Sequence, residues 1–357
     1  MAQDEPDDDI AGVRRRATIE DVAAAAGVSV ATVSRAMRGL PNVAFSTRER
    51  VAEVATRLAY RADPAATRLA TGRSRSVALA VPLLNSWYFS QVVSGAEAVC
   101  SAEGYDMIVM GVTGDEDRSA LVDETSSIHR RVDGIIFVDI PVSSDEAELL
   151  DHHDLAVVTV GNSTDRFPSL VIDDVHVGEL AVGHLISLGH TRIAVIGGQR
   201  IDPLGFHVSD HRRAGYHAAL DRAGIVADPA LAALGNYSVC GGRDAMQTLL
   251  ALDEPPTAVF AMSDEMAFGA LLAAREAGIG VPDELSVVGV DDHDVSIVVD
   301  LTTIRQPVAD HGARAARLLI SQLEGVRGGP SRDERPVELV VRGSTAAVNV
   351  RETVPKP

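Results

Sequence analysis

The sequence predicts two architectures in one chain: a small all-helical unit at the N-terminus, then a two-lobe α/β body built on parallel sheets. Three observations predict this. The first is charge. The 357 residues carry a formal net charge of −19, spread unevenly. Residues 1–10 hold five acids and no base, residues 11–75 hold 12 Arg against five acids, and residues 76–357 hold 20 bases against 41 acids. The second is a set of capped helical runs confined to the basic stretch. The third, beyond Arg75, is an alternation of short apolar runs with amphipathic stretches, the pattern of strands buried on both faces between helices.

Taken in order, residues 1–16 form an acidic arm whose composition predicts disorder. Thr18, with Asp21 three residues on, caps a first helix over the Ala-rich residues 19–26, and Gly27 stops it. Ser29 caps a second helix over Val30–Met37. Ser46 and Glu49 form a capping-box pattern before a third helix, with Val51, Val54, Ala55 and Leu58 on one face. Pro64 opens a short segment that Gly72 ends. The expected units are a headpiece over 17–62, a hinge helix and linker over 63–75, a body over 76–345 and a tail over 346–357.

Within the body the expected strands are Ser76–Val81, Tyr105–Met110, Gly134–Asp139, Ala156–Val160, Leu170–Ile172, Arg192–Ile196, Thr257–Ala261 and Leu285–Val290. Helices fall between them, for example Gln91–Glu103, Val175–Leu188, Arg212–Ala223 and Asp264–Ala277. The series is too long for one ordinary sheet, which predicts two similar lobes.

Composition excludes several classes. Hydrophobic content of 46% belongs to a globular protein. The two cysteines, Cys100 and Cys240, cannot build a disulfide framework or a cysteine zinc site, and both are expected as buried free thiols. Ser76 to Ala96 carries no charge, yet its Pro, Asn, Ser and Gln residues and its change of pattern read as strand, loop and helix rather than a membrane span. The N-terminus has no positive region and no apolar core of a secretory signal. A soluble, cytoplasmic protein is expected. Gly197-Gly198 follows a strand, but no GxGxxG opens the next helix. No Ser-His-Asp or paired-carboxylate site can be argued, so no enzyme and no cofactor is expected. Asp291, Asp292, His293 and Asp294 are adjacent in a loop and cannot all face one ion, so no metal is expected either.

The basic stretch meets the demands of a helix-turn-helix. Ala23 is small where the helices cross, Gly27 tolerates the positive φ of a tight turn, and Val22, Val28, Val33 and Ala36 can clamp the pair. The second helix then offers a polar N-terminal face to a DNA major groove. The body, net acidic, would repel phosphate.

The run TIEDVAAAAGVSVATVSRAM, Thr18 to Met37, resembles the headpiece of the lactose/galactose repressor family. The resemblance continues through Ser46–Tyr60, Pro64–Ser74, Leu188-Gly189-His190, Arg212 with Gly215, Asp264 to Gly269, SVVGVDD from Ser286 and LTTIRQ from Leu301. It covers residues 17–345. It implies that Val30, Ala31 and Arg35 read base edges, and that Ser29, Thr32 and Ser34 contact phosphates. Arg35 can donate twice to a guanine. Val30 and Ala31, lacking polar groups, can only meet thymine methyls or define shape. Leu69 aligns with a leucine wedged into the minor groove, ordinary helix packing being the alternative. The family usually has proline where this chain has Ala62.

The same resemblance implies a periplasmic-binding-protein-like body with an effector cleft between lobes. Lobe 1 would span 76–173 and 307–324, and lobe 2 would span 174–306 and 325–345, with crossings near Asp173, Pro307 and Gly325. Arg212, Asp291 and Gln306 would face the cleft, with Ser263 and Asp264 beside it. An Arg fork and a carboxylate can bracket the hydroxyls of a sugar or nucleoside. Trp87, Tyr88 and Phe89, three of 13 aromatics, could stack on a sugar ring or be core at a helix start. The function implied is a DNA-binding transcriptional regulator, most simply a repressor, acting as a homodimer on a pseudo-palindromic operator. No terminal heptads suggest a larger coiled-coil assembly. The alternative is a sugar-binding protein or α/β enzyme with a helical extension.

Overall fold

The computed structural model describes residues 17–348 apart from 38, 61–72, 124–125, 154, 199–204, 206 and 327–328. The acidic arm and the expected hinge helix lie outside the described residues. The chain divides into two compact units, residues 1–74 and 75–357.

In the first unit, α1 (Ile19–Ala26), α2 (Val30–Met37) and α3 (Phe45–Arg57) enclose one core of Val22, Ala23, Ala26, Val33, Ala36 and residues of α3. Thr18 and Asp21 form the expected capping box, and the Thr18 N–H donates to Asp21 at 2.8 Å. Gly27 closes α1 at φ +65° with its N–H on the carbonyls of Ala23 and Ala24, which is the left-handed cap that favours glycine. Ser29 caps α2, accepting from the Thr32 N–H at 3.2 Å. The third helix departs from expectation. It starts one residue before Ser46, with Ala44 as N-cap and no side-chain cap bond. Ser46 is then already inside the helix, so the Ser46–Glu49 pair cannot act as a capping box.

The second unit holds two six-stranded sheets. Its strands are β1 (Ser76–Val81), β2 (Asp106–Gly111), β3 (Gly134–Val138), β4 (Ala156–Val160), β5 (Ser169–Val171), β6 (Ile193–Gly197), β7 (Ala232–Leu234), β8 (Ala258–Ala261), β9 (Ser286–Asp291), β10 (Thr302–Arg305), β11 (Arg332–Glu334) and β12 (Glu338–Val340). The first sheet runs β11-β5-β4-β3-β1-β2 and the second runs β12-β10-β9-β8-β6-β7. Every pairing is parallel except β10 with β12. The central strands β3, β6, β8 and β9 are buried along their whole length, as helices on both faces require.

The helices are α4 (Trp87–Ala102), α5 (Asp115–Val122), α6 (Ser144–His152), α7 (Asp174–Ser187), α8 (Val208–Arg222), α9 (Val239–Leu250), α10 (Asp264–Glu276), α11 (Asp294–Val298) and α12 (Val308–Leu323). Helices α7 and α8 touch backbone to backbone. A Cβ on Gly178 would stand 2.3 Å from the Arg212 carbonyl oxygen, and one on Gly215 would stand 2.0 Å from that of Val175.

The chain passes between sheets after β5, after β10 and after β11. The third passage therefore follows Glu334, not Gly325, because Arg332–Glu334 first adds a strand beside β5. The body also extends past residue 345. The Ala346 N–H donates to Ser286 at 3.1 Å and the Val348 N–H to the Leu188 carbonyl at 2.9 Å. Cys100 is buried as expected, but Cys240 is exposed. It sits on the first turn of α9, where Gly242 rather than Cys240 takes the packed side. No helix among the described residues is long and apolar enough to cross a membrane.

Candidate functional site

In the headpiece, the period of α2 divides its residues cleanly. Val33 and Ala36 face the core, while Val30, Ala31 and Arg35 are exposed. Ala31 and Arg35, four residues apart, share one face. The Ser29 and Thr32 hydroxyls are 2.8 Å apart, so Ser29 is occupied by capping and Thr32 by Ser29. Ser34 is half-buried. Among the described residues α2 thus presents a short apolar patch, Val30 and Ala31, beside one guanidinium. Leu69 lies outside the described residues.

In the body, the C-terminal ends of the parallel strands of both sheets converge on a cavity of about 380 Å³. This is where loops after strands leave a crevice in α/β folds. The β3 end places Asp139, the β4 end Gly161, the β9 end Asp291 and the β10 end Gln306; α7 and α8 add Asp174, Ser209 and Arg212.

Arg212 is 5% exposed. Its Nε donates to Asp174 Oδ1 at 2.8 Å and its Nη1 to the Met262 carbonyl. Burial opposes its charge, but Asp174 and Asp291 reverse that and hold the guanidinium firmly protonated. Gln306 donates to Asp291 Oδ1 at 2.6 Å. Burial, partly offset by Arg212, pushes the Asp291 carboxyl well above the carboxylate range. Burial and the neighbouring Asp174 raise Asp139 to about 7. The Tyr237 hydroxyl lies 2.8 Å from Ser209 Oγ, which also accepts from the Gly198 N–H at 2.9 Å. One buried guanidinium among carboxylates, amide and hydroxyls can bind a polyhydroxylated molecule through paired donors and acceptors.

Of the residues expected in the cleft, Arg212, Ser263, Asp291, Gln306, Tyr88 and Phe89 line this cavity. Two do not. Asp264 is fully buried behind it, accepting from Ser296, Thr303 and the His293 N–H at 2.6, 2.6 and 2.8 Å. It holds the loop after β9. Trp87 stacks on His293 with ring centroids 4.7 Å apart, and its backbone N–H donates to Glu265 at 3.3 Å. Tyr88 and Phe89 thus face the cavity, and all three aromatics also pack with the first-sheet core at the start of α4. Ser263 is also the N-cap of α10, accepting from the Met266 N–H at 3.2 Å.

Sequence reasoning missed Asp139, Asp174, Asn236, Tyr237, Glu265 and His311, all of which line the cavity. Only Asp139 carried a signal, as the last residue of an apolar strand run. No group of three or more metal-ligating side chains that could hold an ion occurs among the described residues.

Residues 18–63 match the family described as bacterial regulatory proteins, lacI family, and residues 182–345 match a periplasmic binding protein-like domain. The HTH-type transcriptional repressor CytR of Escherichia coli (strain K12) is 35% identical over 339 residues, covering 93% of this chain and 97% of its own. Among solved structures, the lac repressor dimer bound to operator and the anti-inducer ONPF is 30% identical, with a TM-score of 0.79, covering 93% of this chain and 100% of its own. A transcriptional regulator CelR–cellobiose complex is also 30% identical, with a TM-score of 0.67 and 92% and 100% coverage.

Proposed function

The chain belongs to the lacI family of bacterial regulatory proteins, and from that membership we infer a DNA-binding transcriptional repressor whose operator affinity is set by a small effector. Its similar relatives are transcription regulators rather than enzymes. We propose that α2 reads the operator through Arg35, Val30 and Ala31, with Ser29, Thr32 and Ser34 toward phosphates and Leu69 as a minor-groove wedge. Two chains in a dimer would present two such helices to a pseudo-palindromic site in the cytoplasm.

The effector we assign to the cavity at the strand ends, with Arg212, Asp291 and Gln306 as its main polar contacts. The observation that carries this is the Arg212 cluster: a fully desolvated guanidinium and facing carboxylates converge on a cavity large enough for a sugar or nucleoside. The cellobiose carried by one similar regulator supports the sugar class. Lobe closure on the effector changes operator affinity only to the extent that the effector prefers one arrangement of the lobes.

Deleting residues 1–75 tests the division of labour. The truncated protein should lose salt-dependent DNA binding and keep its thermal stabilisation by a ligand. Retained operator binding would overturn the assignment.

A further inference from the structure

Among the described residues, Asp139 is the acid of the cavity that has a buried oxygen without a hydrogen-bond donor. It follows β3 at φ +54° and is 6% exposed. Its N–H is bound to the Val160 carbonyl at 2.8 Å, which fixes the backbone. Its carboxylate lies over Gly161, where a Cβ would come within 1.6 Å of Oδ1. Any other residue at 161 would push the carboxylate aside, so the glycine keeps it aimed along the cavity wall. Oδ1 is buried and accepts no hydrogen bond among the described residues.

The cavity's cation is engaged elsewhere: Arg212 donates to Asp174 and to the Met262 carbonyl. Among the described lining residues, the carboxyl groups of Asp139, Asp174, Glu265 and Asp291 share the single guanidinium of Arg212. A buried, unpartnered carboxylate is costly, and a hydroxyl donor would answer its hydrogen bond but not its charge. An ammonium donor answers both, and a nucleobase amine supplies N–H donors where its keto counterpart would set an acceptor against the acid.

We propose that Asp139 is the specificity-determining acceptor of the cavity, and that the effector presents an amino group to it. This rests on the reading of the cavity as the effector site. The amino group could be that of an amino sugar or the exocyclic amine of a nucleobase; both donate N–H to Asp139, and the amino sugar also brings a positive charge.

Matched ligand pairs test it on the full-length protein by calorimetric titration: glucosamine against glucose, galactosamine against galactose, cytidine against uridine, and adenosine against inosine. At least one amine-bearing member should bind about tenfold or more tighter than its twin, the scale of one charge-assisted hydrogen bond. Asp139→Asn should bring the two within about twofold, and Asp139→Ser, smaller in the same space, provides a second variant. The sugar and nucleoside arms tell the two sources apart. Twins that bind equally to the natural protein, or a preference that survives in both variants, overturn the proposal while leaving the effector cavity standing. If no member binds at all, the sugar-or-nucleoside reading itself fails, and this inference with it.

Discussion

Arg212 donates to Asp174 at 2.8 Å, and both side chains are under 10% exposed. The pair joins α8 to the first residue of α7, at the point where the chain has just left the first sheet for the second. It therefore sits beside a lobe crossing and in the cavity wall at once. Asp174→Asn should leave the guanidinium buried without its hydrogen-bonded counter-charge, costing on the order of 3 kcal/mol of stability. Ligand affinity should fall as well, because Arg212 loses its fixed orientation. A melting curve and a ligand titration check both. Unchanged stability would mean that Asp291 and the Met262 carbonyl suffice to hold the guanidinium.

The close approach of α7 and α8 makes a second expectation. Gly215→Ala would drive a methyl into the Val175 carbonyl oxygen, 2.0 Å from an ideal Cβ. Overpacking of this kind costs about 1–3 kcal/mol. Chemical denaturation should show it, and a neutral result would mean that the helices can separate at little cost.

How much of this was legible in the sequence differs by element. Thr18 and Gly27 were readable because capping and positive φ are local demands. Strands β1 and β4 were readable because burial on both faces leaves continuous apolar runs. Strand β11 was not: its residues are Arg332, Asp333 and Glu334, an edge segment whose pairing with β5 is decided by tertiary contact. Within the cavity, Arg212, Asp291 and Gln306 followed from a resemblance that preserves spacing. Asp139, Tyr237 and His311 did not, because they converge only when the strand ends of two sheets meet.

A third expectation concerns the lobes. Trp87 from α4 stacks on His293, which Phe268 meets edge-on at 5.2 Å, and Glu265 accepts from Ser86 and the Trp87 N–H. These contacts link the start of α4, on the first sheet, to the start of α10 and the loop after β9, on the second. Trp87→Ala should weaken ligand binding by up to about tenfold, the worth of one aromatic stack, and leave operator affinity in the absence of ligand unchanged. Small-angle scattering of the variant should show lobes that close less fully; identical profiles with and without Trp87 would remove the stack from any role in closure.

His311 gives an expectation for pH. It is 2% exposed, neither ring nitrogen has a partner among the described residues, and burial pushes its ring down to about 4 from an ordinary 6.5. Below pH 6.5 the unfolded chain takes this proton first, so this group's contribution to stability is lost as pH falls from about 6.5 to about 4. The loss approaches roughly 3 kcal/mol at the lower end. His311→Gln should flatten that part of the stability–pH profile. A variant whose acid sensitivity matches the natural protein would place the sensitivity elsewhere.

A ligand in the Arg212 cavity should govern the DNA affinity of α2, which lies in the other unit of the chain. The most direct measurement is fluorescence anisotropy of the full-length protein on DNA upstream of its own gene, with and without a ligand found by thermal shift, beside Asp291→Asn. The natural protein should show salt-dependent binding that the ligand shifts at least about fivefold, the lower end of allosteric coupling, and the variant should bind the same DNA equally well but ignore the ligand. A variant that still responds in full, or a natural protein whose DNA affinity the bound ligand leaves untouched, would contradict it.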